Sequence, residues 1–263
     1  MDASQDRRAL MAKYGDRREI AEYDREVPRG LRPAEEAFIS RHLSKGLVLD
    51  VGCASGREAI ALARKRFDVV ALDLTPAMVL AAKENSKLHG LRDRIRFEVG
   101  DVRDMDFPDG TFDSALILGN MIEHVRGREE RVRALAETGR VLKPGGILIF
   151  STHTRASRLR YRLYWALVNG WRVFMSELAG KPPALELGDR YIGKISRART
   201  PGKVFIHIYT LEEALEDVRR AGLELLESRC DAELAGGFED VRLRRRAAHV
   251  LYAARRSPVS ELK

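Results

Sequence analysis

The middle of the chain alternates between two patterns of apolar and polar positions. Short apolar runs, typical of buried strands, are followed by segments whose apolar residues recur every three or four positions, as on one face of a helix. Strands are predicted at 47–51, 69–73, 94–99, 112–118, 147–150, 223–229 and 249–254, and helices at 57–67, 76–89, 127–142 and 211–221. This alternation predicts an α/β fold with a mostly parallel sheet, helices on both faces, and ligands at the carboxyl ends of the strands.

Two segments lie outside this alternation. Residues 1–43 are charged and helical in pattern, and Pro28 and Pro33 predict a break followed by a second helix. Residues 155–203 mix arginines with aromatic residues before a looser run rich in glycine and proline. The arginines and aromatics are compatible with RNA binding through phosphates and stacked bases, or with the two faces of one amphipathic helix.

The first predicted strand ends in a glycine-containing turn, LVLDVGCASG, from Leu47 to Gly56. Glycine there allows a ligand to approach the backbone closely, and the helix that follows offers free N–H groups and a partial positive charge. Dinucleotide-binding turns read G-x-G-x-x-G, but here Ala54 and Arg57 occupy the second and third glycine positions. The turn therefore predicts a nucleotide-like ligand and disfavours a nicotinamide cofactor.

An acid ends the second predicted strand. Asp73 lies about 20 residues after the glycine turn, where α/β nucleotide sites place a carboxylate against the ribose hydroxyls. Gly100 and Asp101 follow the third predicted strand in the same way. Since the carboxyl ends of parallel strands meet at one edge of a sheet, these groups are expected to share a site.

Together these motifs resemble the class I S-adenosylmethionine (SAM)-dependent methyltransferases. Asp50, Gly52 and Gly56 form the pattern D-x-G-x-x-x-G of that family's motif I. The later motifs follow in the family's order: VVALD (69–73), GDV (100–102), FDSALIL (112–118) and VLKPGGILIF (141–150). The resemblance implies a doubly wound seven-stranded sheet of strand order 3-2-1-4-5-7-6, with the last strand antiparallel.

The resemblance also implies a division of the chain and a set of cofactor residues. It implies an N-terminal helical cover at 1–45, a core at 46–154 and 204–256, a helical lid over the substrate at 155–203, and a tail at 257–263. SAM, with S-adenosylhomocysteine as its product, is expected to contact Asp50, Gly52, Cys53, Gly56, Asp73, Leu74, Met78, Asp101, Val102, Gly119 and Asn120. Within this set, Asp73 would hold the ribose, Asp101 and Val102 the adenine, and Gly119 and Asn120 the methyl end.

Three histidines, His124, His153 and His207, are candidates for a general base, because imidazole titrates near neutral pH. His207 precedes the predicted helix at 211–221. His153 follows the fifth predicted strand and is the preferred candidate, and His124 follows the fourth; a structural role is the alternative for both. Glu123 and His124 resemble a pair in ubiquinone-pathway O-methyltransferases, where a further Glu three positions before the pair helps to hold a divalent metal. Asn120 stands at that position, so no metal is predicted.

Composition leaves several functions open. The 47 Lys and Arg against 39 Asp and Glu give a net charge of +8, which permits a polyanionic partner. Two cysteines predict no disulfide framework, which fits the reducing environment of the cytoplasm. The absence of a run of about 20 apolar residues predicts a soluble protein without a membrane span. We expect a monomer or homodimer that methylates an O or N atom of a small molecule. The alternatives are an RNA or tRNA methyltransferase, and a SAM-binding protein without transferase activity.

Overall fold

The computed structural model describes residues 3–155, 159–180, 185–193, 198, 200–237 and 239–257. Its helices are α1 (Ala3–Tyr14), α2 (Arg17–Glu26), α3 (Pro33–His42), α4 (Arg57–Arg64), α5 (Pro76–Leu88), α6 (Arg128–Val141), α7 (Leu159–Ala179), α8 (Leu211–Arg220), α9 (Asp231–Gly236) and α10 (Val241–Arg246). Its strands are β1 (Leu47–Val51), β2 (Asp68–Asp73), β3 (Ile95–Val99), β4 (Phe112–Ile117), β5 (Leu142–His153), β6 (Asp189–Ile192), β7 (Val204–His207), β8 (Leu223–Cys230) and β9 (His249–Arg256).

Seven of these strands form one sheet in the order β3-β2-β1-β4-β5-β9-β8. The first five run parallel, and β9 is antiparallel to both β5 and β8. When the strands of this sheet alone are numbered along the chain, the order is the predicted 3-2-1-4-5-7-6. The α/β fold class is confirmed.

Both faces of the sheet are covered by apolar packing. Side chains alternate across a strand, so Leu148 and Phe150 of β5 join one buried cluster while Ile149 joins the other. The two clusters lie on opposite faces and include the apolar sides of the flanking helices. This arrangement leaves the carboxyl ends of β1 to β4 as the edge at which a ligand can be bound.

Thr210 followed three residues later by Glu213 is the sequence pattern of a helix-capping box, and this prediction is confirmed in atomic detail. Thr210 and Glu213 form the capping box at the start of α8: the Glu213 N–H donates to Thr210 Oγ1 at 3.1 Å, and the Thr210 N–H donates to Glu213 Oε2 at 2.8 Å. Among the described residues, no helix is both long and apolar enough to cross a membrane.

Three local predictions are corrected by the structure. The N-terminal segment breaks at Gly15, because Asp16 begins a new helix and accepts a hydrogen bond from the Arg18 N–H at 2.8 Å. The run AGGF at 235–238 predicts a loop, but its first two residues belong to α9, and the basic run at 242–246 is helical as part of α10. The loop expected after α7 contains β6, which pairs with β7 in a small antiparallel sheet. Arg158, Pro182 and Pro183 of the insert and residues 258–263 of the tail lie outside the described residues.

Candidate active site

A cavity of about 420 Å³ opens at the carboxyl ends of β1, β2 and β4. Its volume falls within the roughly 300–1,000 Å³ typical of ligand sites. Of the residues predicted from the sequence, its wall includes Gly52, Cys53, Asp73, Leu74, Asp101, Val102, Gly119 and His124. It does not include Asp50, Gly56, Met78, Asn120 or His153.

The turn after β1 needs glycine for two reasons. Gly52 has a φ of +74°, in the region that disfavours other residues. A side chain there would also overlap Met121, whose side chain packs against it. The N–H groups of Gly52 and Cys53 both donate to the carbonyl of Leu72, at 2.7 and 3.0 Å, and so tie the turn to the end of β2.

Asp73 is built into this turn from the neighbouring strand. Its Oδ2 accepts from the Ala54 N–H at 2.9 Å, and its Oδ1 accepts from the Thr75 N–H at 2.8 Å. Burial raises the pKa of Asp73, and these backbone hydrogen bonds lower it without fully offsetting the burial. Each carboxylate oxygen retains a further lone pair, so the group can also accept from the hydroxyls of a bound ribose.

Asp101 lies on the other side of the cavity and is paired with arginine. Arg103 donates to it through two nitrogens, Nε at 2.9 Å and Nη2 at 2.7 Å, and Arg7 of α1 lies 3.6 Å away. Burial raises the pKa of Asp101, but the hydrogen bonds from Arg103 lower it further, so the net shift is downward. The carboxylate is therefore fixed in place and ionised at neutral pH.

The predicted cofactor residues that are off the wall support the turn from behind. Asp50 is buried and hydrogen-bonded to the Ala59 N–H near the start of α4, and burial followed by the charge of Glu58 raises its pKa well above the usual value. A side chain on Gly56 would lie 3.2 Å from Cβ of Ala82, so glycine lets α4 pack closely on α5. Met78 is buried, with its sulfur 3.7 Å from Ser55 Oγ.

His153 belongs to a hydrogen-bonded cluster beside the cavity. Its Nδ1 lies 3.0 Å from Glu123 Oε2, and its Nε2 lies 3.3 Å from the side-chain nitrogen of Asn120. Burial lowers the pKa of His153, but the hydrogen bond and charge of Glu123 outweigh it, so the net pKa is raised. Both ring nitrogens thus have protein partners.

His124 forms a second cluster, and this one is on the cavity wall. Its Nδ1 lies 3.0 Å from the carbonyl oxygen of Phe205, and its Nε2 lies 2.9 Å from the hydroxyl of Tyr14. Because a carbonyl can only accept, Nδ1 carries the proton in the neutral ring and Nε2 accepts from Tyr14. Burial lowers the pKa of His124 and raises that of Tyr14 well above 10, so both are neutral at pH 7.

The N-terminal helices close the cavity from above. Asp6, Leu10 and Tyr14 of α1 are spaced by four and lie together on its wall. Asp6 pairs with Arg126 at 2.6 Å and accepts from the Tyr191 hydroxyl at 2.9 Å, which anchors α1 to the core. Asp6, Leu10, Arg126 and Phe205 were not predicted as site residues from the sequence, although the spacing of four along α1 was a usable signal for the first two.

The same helix is held down at its other end by a buried lysine. Lys13 Nζ donates to the carbonyl oxygens of Gly193 and Thr200, both at 2.6 Å, and only 3% of Lys13 is exposed. The insert thus anchors α1, but none of its described residues lies on the cavity wall. Its role as a lid stays a prediction.

One acidic cluster outside the cavity has the spacing of metal ligands: Glu186, Asp189 and His207. Both carboxylate oxygens of Glu186 are already paired, with Arg131 Nη2 and with the Arg128 N–H, each at 2.8 Å. The Asp189 carboxylate lies 2.7 Å from His207 Nδ1. Since arginine already balances the Glu186 charge, the cluster does not need a cation.

Comparison with known proteins agrees with this geometry. Residues 48–146 match the family model described as a methyltransferase domain. The chain is 36% identical over 130 residues to a ubiquinone biosynthesis O-methyltransferase of Xanthomonas oryzae, covering 48% of this chain and 51% of that protein. It is 33% identical over 108 residues to ajmaline N-methyltransferase of Rauvolfia serpentina, covering 40% and 35%.

The resemblance extends to solved structures. A SAM-dependent methyltransferase from Methanosarcina mazei superposes with a TM-score of 0.65 at 20% identity, covering 87% of this chain and 99% of that one. The match to the curated relatives spans about a third to a half of their length. The segment 48–146, which includes most of the glycine turn, Asp73 and Asp101, therefore matches a methyltransferase domain in sequence, and the fold of the chain is that of a SAM-dependent methyltransferase structure.

Proposed function

We propose that this chain transfers a methyl group from SAM to an oxygen or nitrogen atom of a small molecule. The observation that carries the proposal is the Tyr14–His124 pair on the cavity wall, because an acceptor hydroxyl or protonated amine has to lose a proton when it is methylated. The names of the relatives support both kinds of acceptor, since one is called an O-methyltransferase and another an N-methyltransferase.

The residues around the glycine turn fit SAM. Gly119 supports the fit of SAM to this site. Its φ is +62°, and no atom lies within 4 Å of the position of a Cβ, so a ligand can lie next to the backbone there. Asp73 would hold the ribose hydroxyls, Asp101 would be close to the adenine, and Gly52 and Cys53 would pass beside the amino-acid portion. When bound, SAM supplies a methyl group already activated by its sulfonium. The chain's own tasks are therefore to orient the acceptor, exclude water and remove a proton.

We assign the proton to Tyr14 and His124. The Tyr14 hydroxyl can take a proton from the acceptor while it gives its own to His124 Nε2, and the Phe205 carbonyl then stabilises the charged ring through Nδ1. His153, preferred from the sequence, is off the cavity wall, whereas His124 is on it and bonds to Tyr14, which is also on it. This favours His124 as the base and leaves His153 a positioning role.

Two features of the cavity favour a small acceptor over RNA. Helices α1 and α2 contribute wall residues from above, which limits access for a polymer. Each of the five wall arginines that the structure describes also has a carboxylate within 4 Å: Arg57 and Arg32 are close to Glu35, Arg103 and Arg7 to Asp101, and Arg126 to Asp6. A polyanion would have to displace these carboxylates in order to bind the arginines. Because the arginines are paired, the excess positive charge of the chain is not concentrated at the cavity.

The first test is transfer of radiolabelled methyl from SAM into total RNA and into a low-molecular-weight metabolite extract, each at low and moderate salt. We expect label in the metabolite pool that is insensitive to salt. Label in RNA that falls steeply as salt rises would support the RNA methyltransferase instead. Binding of SAM with no S-adenosylhomocysteine formed from either pool would support a binding protein without transferase activity.

The pH dependence of turnover should distinguish the two histidines. A base works when it is neutral, so turnover should rise with pH through the pKa of the base and then level off. Burial lowers the pKa of His124 below its ordinary value of 6.5, whereas Glu123 raises that of His153 above it. We therefore expect the acid limb of kcat to lie below pH 6.5, and a limb above that value would indicate His153.

A further inference from the structure

Helix α7 presents its apolar side to solvent and its polar side to the protein. On the inner side, Trp165 is buried and Arg172 donates to the carbonyl oxygens of Glu186 and Asp189, at 3.1 and 2.7 Å. The outer side includes large apolar residues that are mostly exposed: Leu163, Leu167, Trp171, Phe174 and Leu178. Leu167 is 76% exposed and Trp171 is 64% exposed, so no described part of the chain covers this face. A contiguous apolar face of this size marks an interaction surface.

Leu163, Leu167 and Phe174 of this face belong to a line of positions with heptad spacing, and Trp171 and Leu178 flank that line. Positions 160, 163, 167, 170, 174 and 177 are separated alternately by three and four residues, and they are Arg160, Leu163, Leu167, Gly170, Phe174 and Glu177. We call these six residues the outer seam. A repeat of this period allows two helices to pack side by side along a continuous line of contact. The outer seam therefore has the pattern of one half of a two-helix packing.

The outer seam is complementary to itself when two copies are placed antiparallel. Arg160 then faces Glu177 of the second copy, Leu163 faces Phe174, and Leu167 faces Gly170. The ion pair forms twice, the large and small side chains alternate at the centre, and the two helix dipoles run in opposite directions. In the part of the single chain that the structure describes, neither Arg160 nor Glu177 has an ion-pair partner; the Arg160 guanidinium lies over the Tyr161 ring and donates to the Tyr161 hydroxyl at 3.3 Å.

Gly170 is independent support for close approach of another helix. Glycine in a helix interior costs about 1 kcal/mol relative to alanine. Within the chain a side chain at this position would meet no atom within 4 Å, so the fold of the single chain does not require glycine here. A second helix that approaches the backbone closely at the centre of the outer seam does require a small residue.

We propose that the chain forms a two-fold symmetric homodimer through the antiparallel pairing of the outer seams of two α7 helices. A lipid surface is the main alternative occupant of an exposed apolar helix. It is less consistent with the outer seam, because Glu177 would face anionic headgroups and Gly170 would reduce the apolar area.

Sedimentation equilibrium of the full chain with charge-swapped variants tests this pairing. Wild type should dimerise. Arg160→Glu and Glu177→Arg should each weaken the dimerisation Kd about tenfold or more, because like charges then face each other twice. The double variant R160E/E177R should return to within about threefold of wild type, because the pair is re-formed with reversed charges. These positions are exposed, so circular dichroism should show unchanged folding.

Arg162→Glu is the matched control, since it makes the same charge change on the same helix but outside the outer seam. Its dimerisation should stay close to wild type. The proposal is overturned if wild type is monomeric up to its solubility limit, if R162E weakens the dimer as much as R160E, or if the double variant fails to recover. A monomer that co-floats with phosphatidylglycerol vesicles, more strongly as E177R, would assign the face to a lipid surface.

Discussion

Replacing Asp73 with alanine is expected to weaken SAM binding about 100-fold. Hydrogen bonds to a charged acceptor contribute about 1.5–3 kcal/mol each, and the proposed site uses this carboxylate for two ribose hydroxyls. The side chain also accepts from the N–H groups of Ala54 and Thr75, so its loss loosens the turn as well. Isothermal titration calorimetry with SAM or S-adenosylhomocysteine measures the change.

The control for Asp73→Ala is Asp68→Ala, which removes an exposed carboxylate at the other end of the same strand. It should leave the affinity unchanged. An S-adenosylhomocysteine analogue that lacks the ribose hydroxyls distinguishes a direct contact between Asp73 and the ribose from an indirect effect of Asp73 on the glycine turn. If Asp73 binds the ribose, the analogue loses affinity for wild type but little for the variant. Equal losses on both proteins, or unchanged affinity for D73A, would contradict the placement of the cofactor.

The parts of this site that sequence predicts well are local. The glycine turn and Asp73 are joined by contacts at the ends of adjacent parallel strands, and the α/β fold brings such ends together whatever the details of the helices. Thr210 and Glu213 are likewise three residues apart, so their capping box is visible in the sequence. These features depend on spacing along the chain or on the common topology.

The residues that sequence does not bring together depend on contacts between distant segments. His124 was singled out from the sequence, but its hydrogen bond with Tyr14 spans 110 positions and depends on where α1 lies over the core. Asp6 and Arg126 are 120 positions apart in the same way. The sequence does contain a signal for the break between α1 and α2, because Gly15 is followed by Asp16 and, three residues later, by Glu19, which is the pattern of a helix start. The direction that α2 takes after the break cannot be predicted from that pattern.

His124→Gln is expected to lower kcat about 100-fold, the lower end of the range for loss of a general base. The glutamine side chain places its amide near the position of Nε2, where it can still form a hydrogen bond with Tyr14, but it does not take up a proton at neutral pH. Tyr14→Phe should give a similar loss, because it removes the group that connects the acceptor to His124 Nε2. Single-turnover kinetics at saturating SAM measures the effect.

The double variant Y14F/H124Q shows whether the two residues act as one relay. If they do, it should be no slower than the slower single variant, because the first substitution already interrupts the proton path. His153→Gln is the matched control and should keep most of the wild-type rate, since the ring is off the cavity wall. If the pair only holds α1 over the cavity, SAM affinity would fall while kcat at saturation stays near wild type. That pattern, or a larger loss for H153Q than for H124Q, would return the assignment of the base to His153.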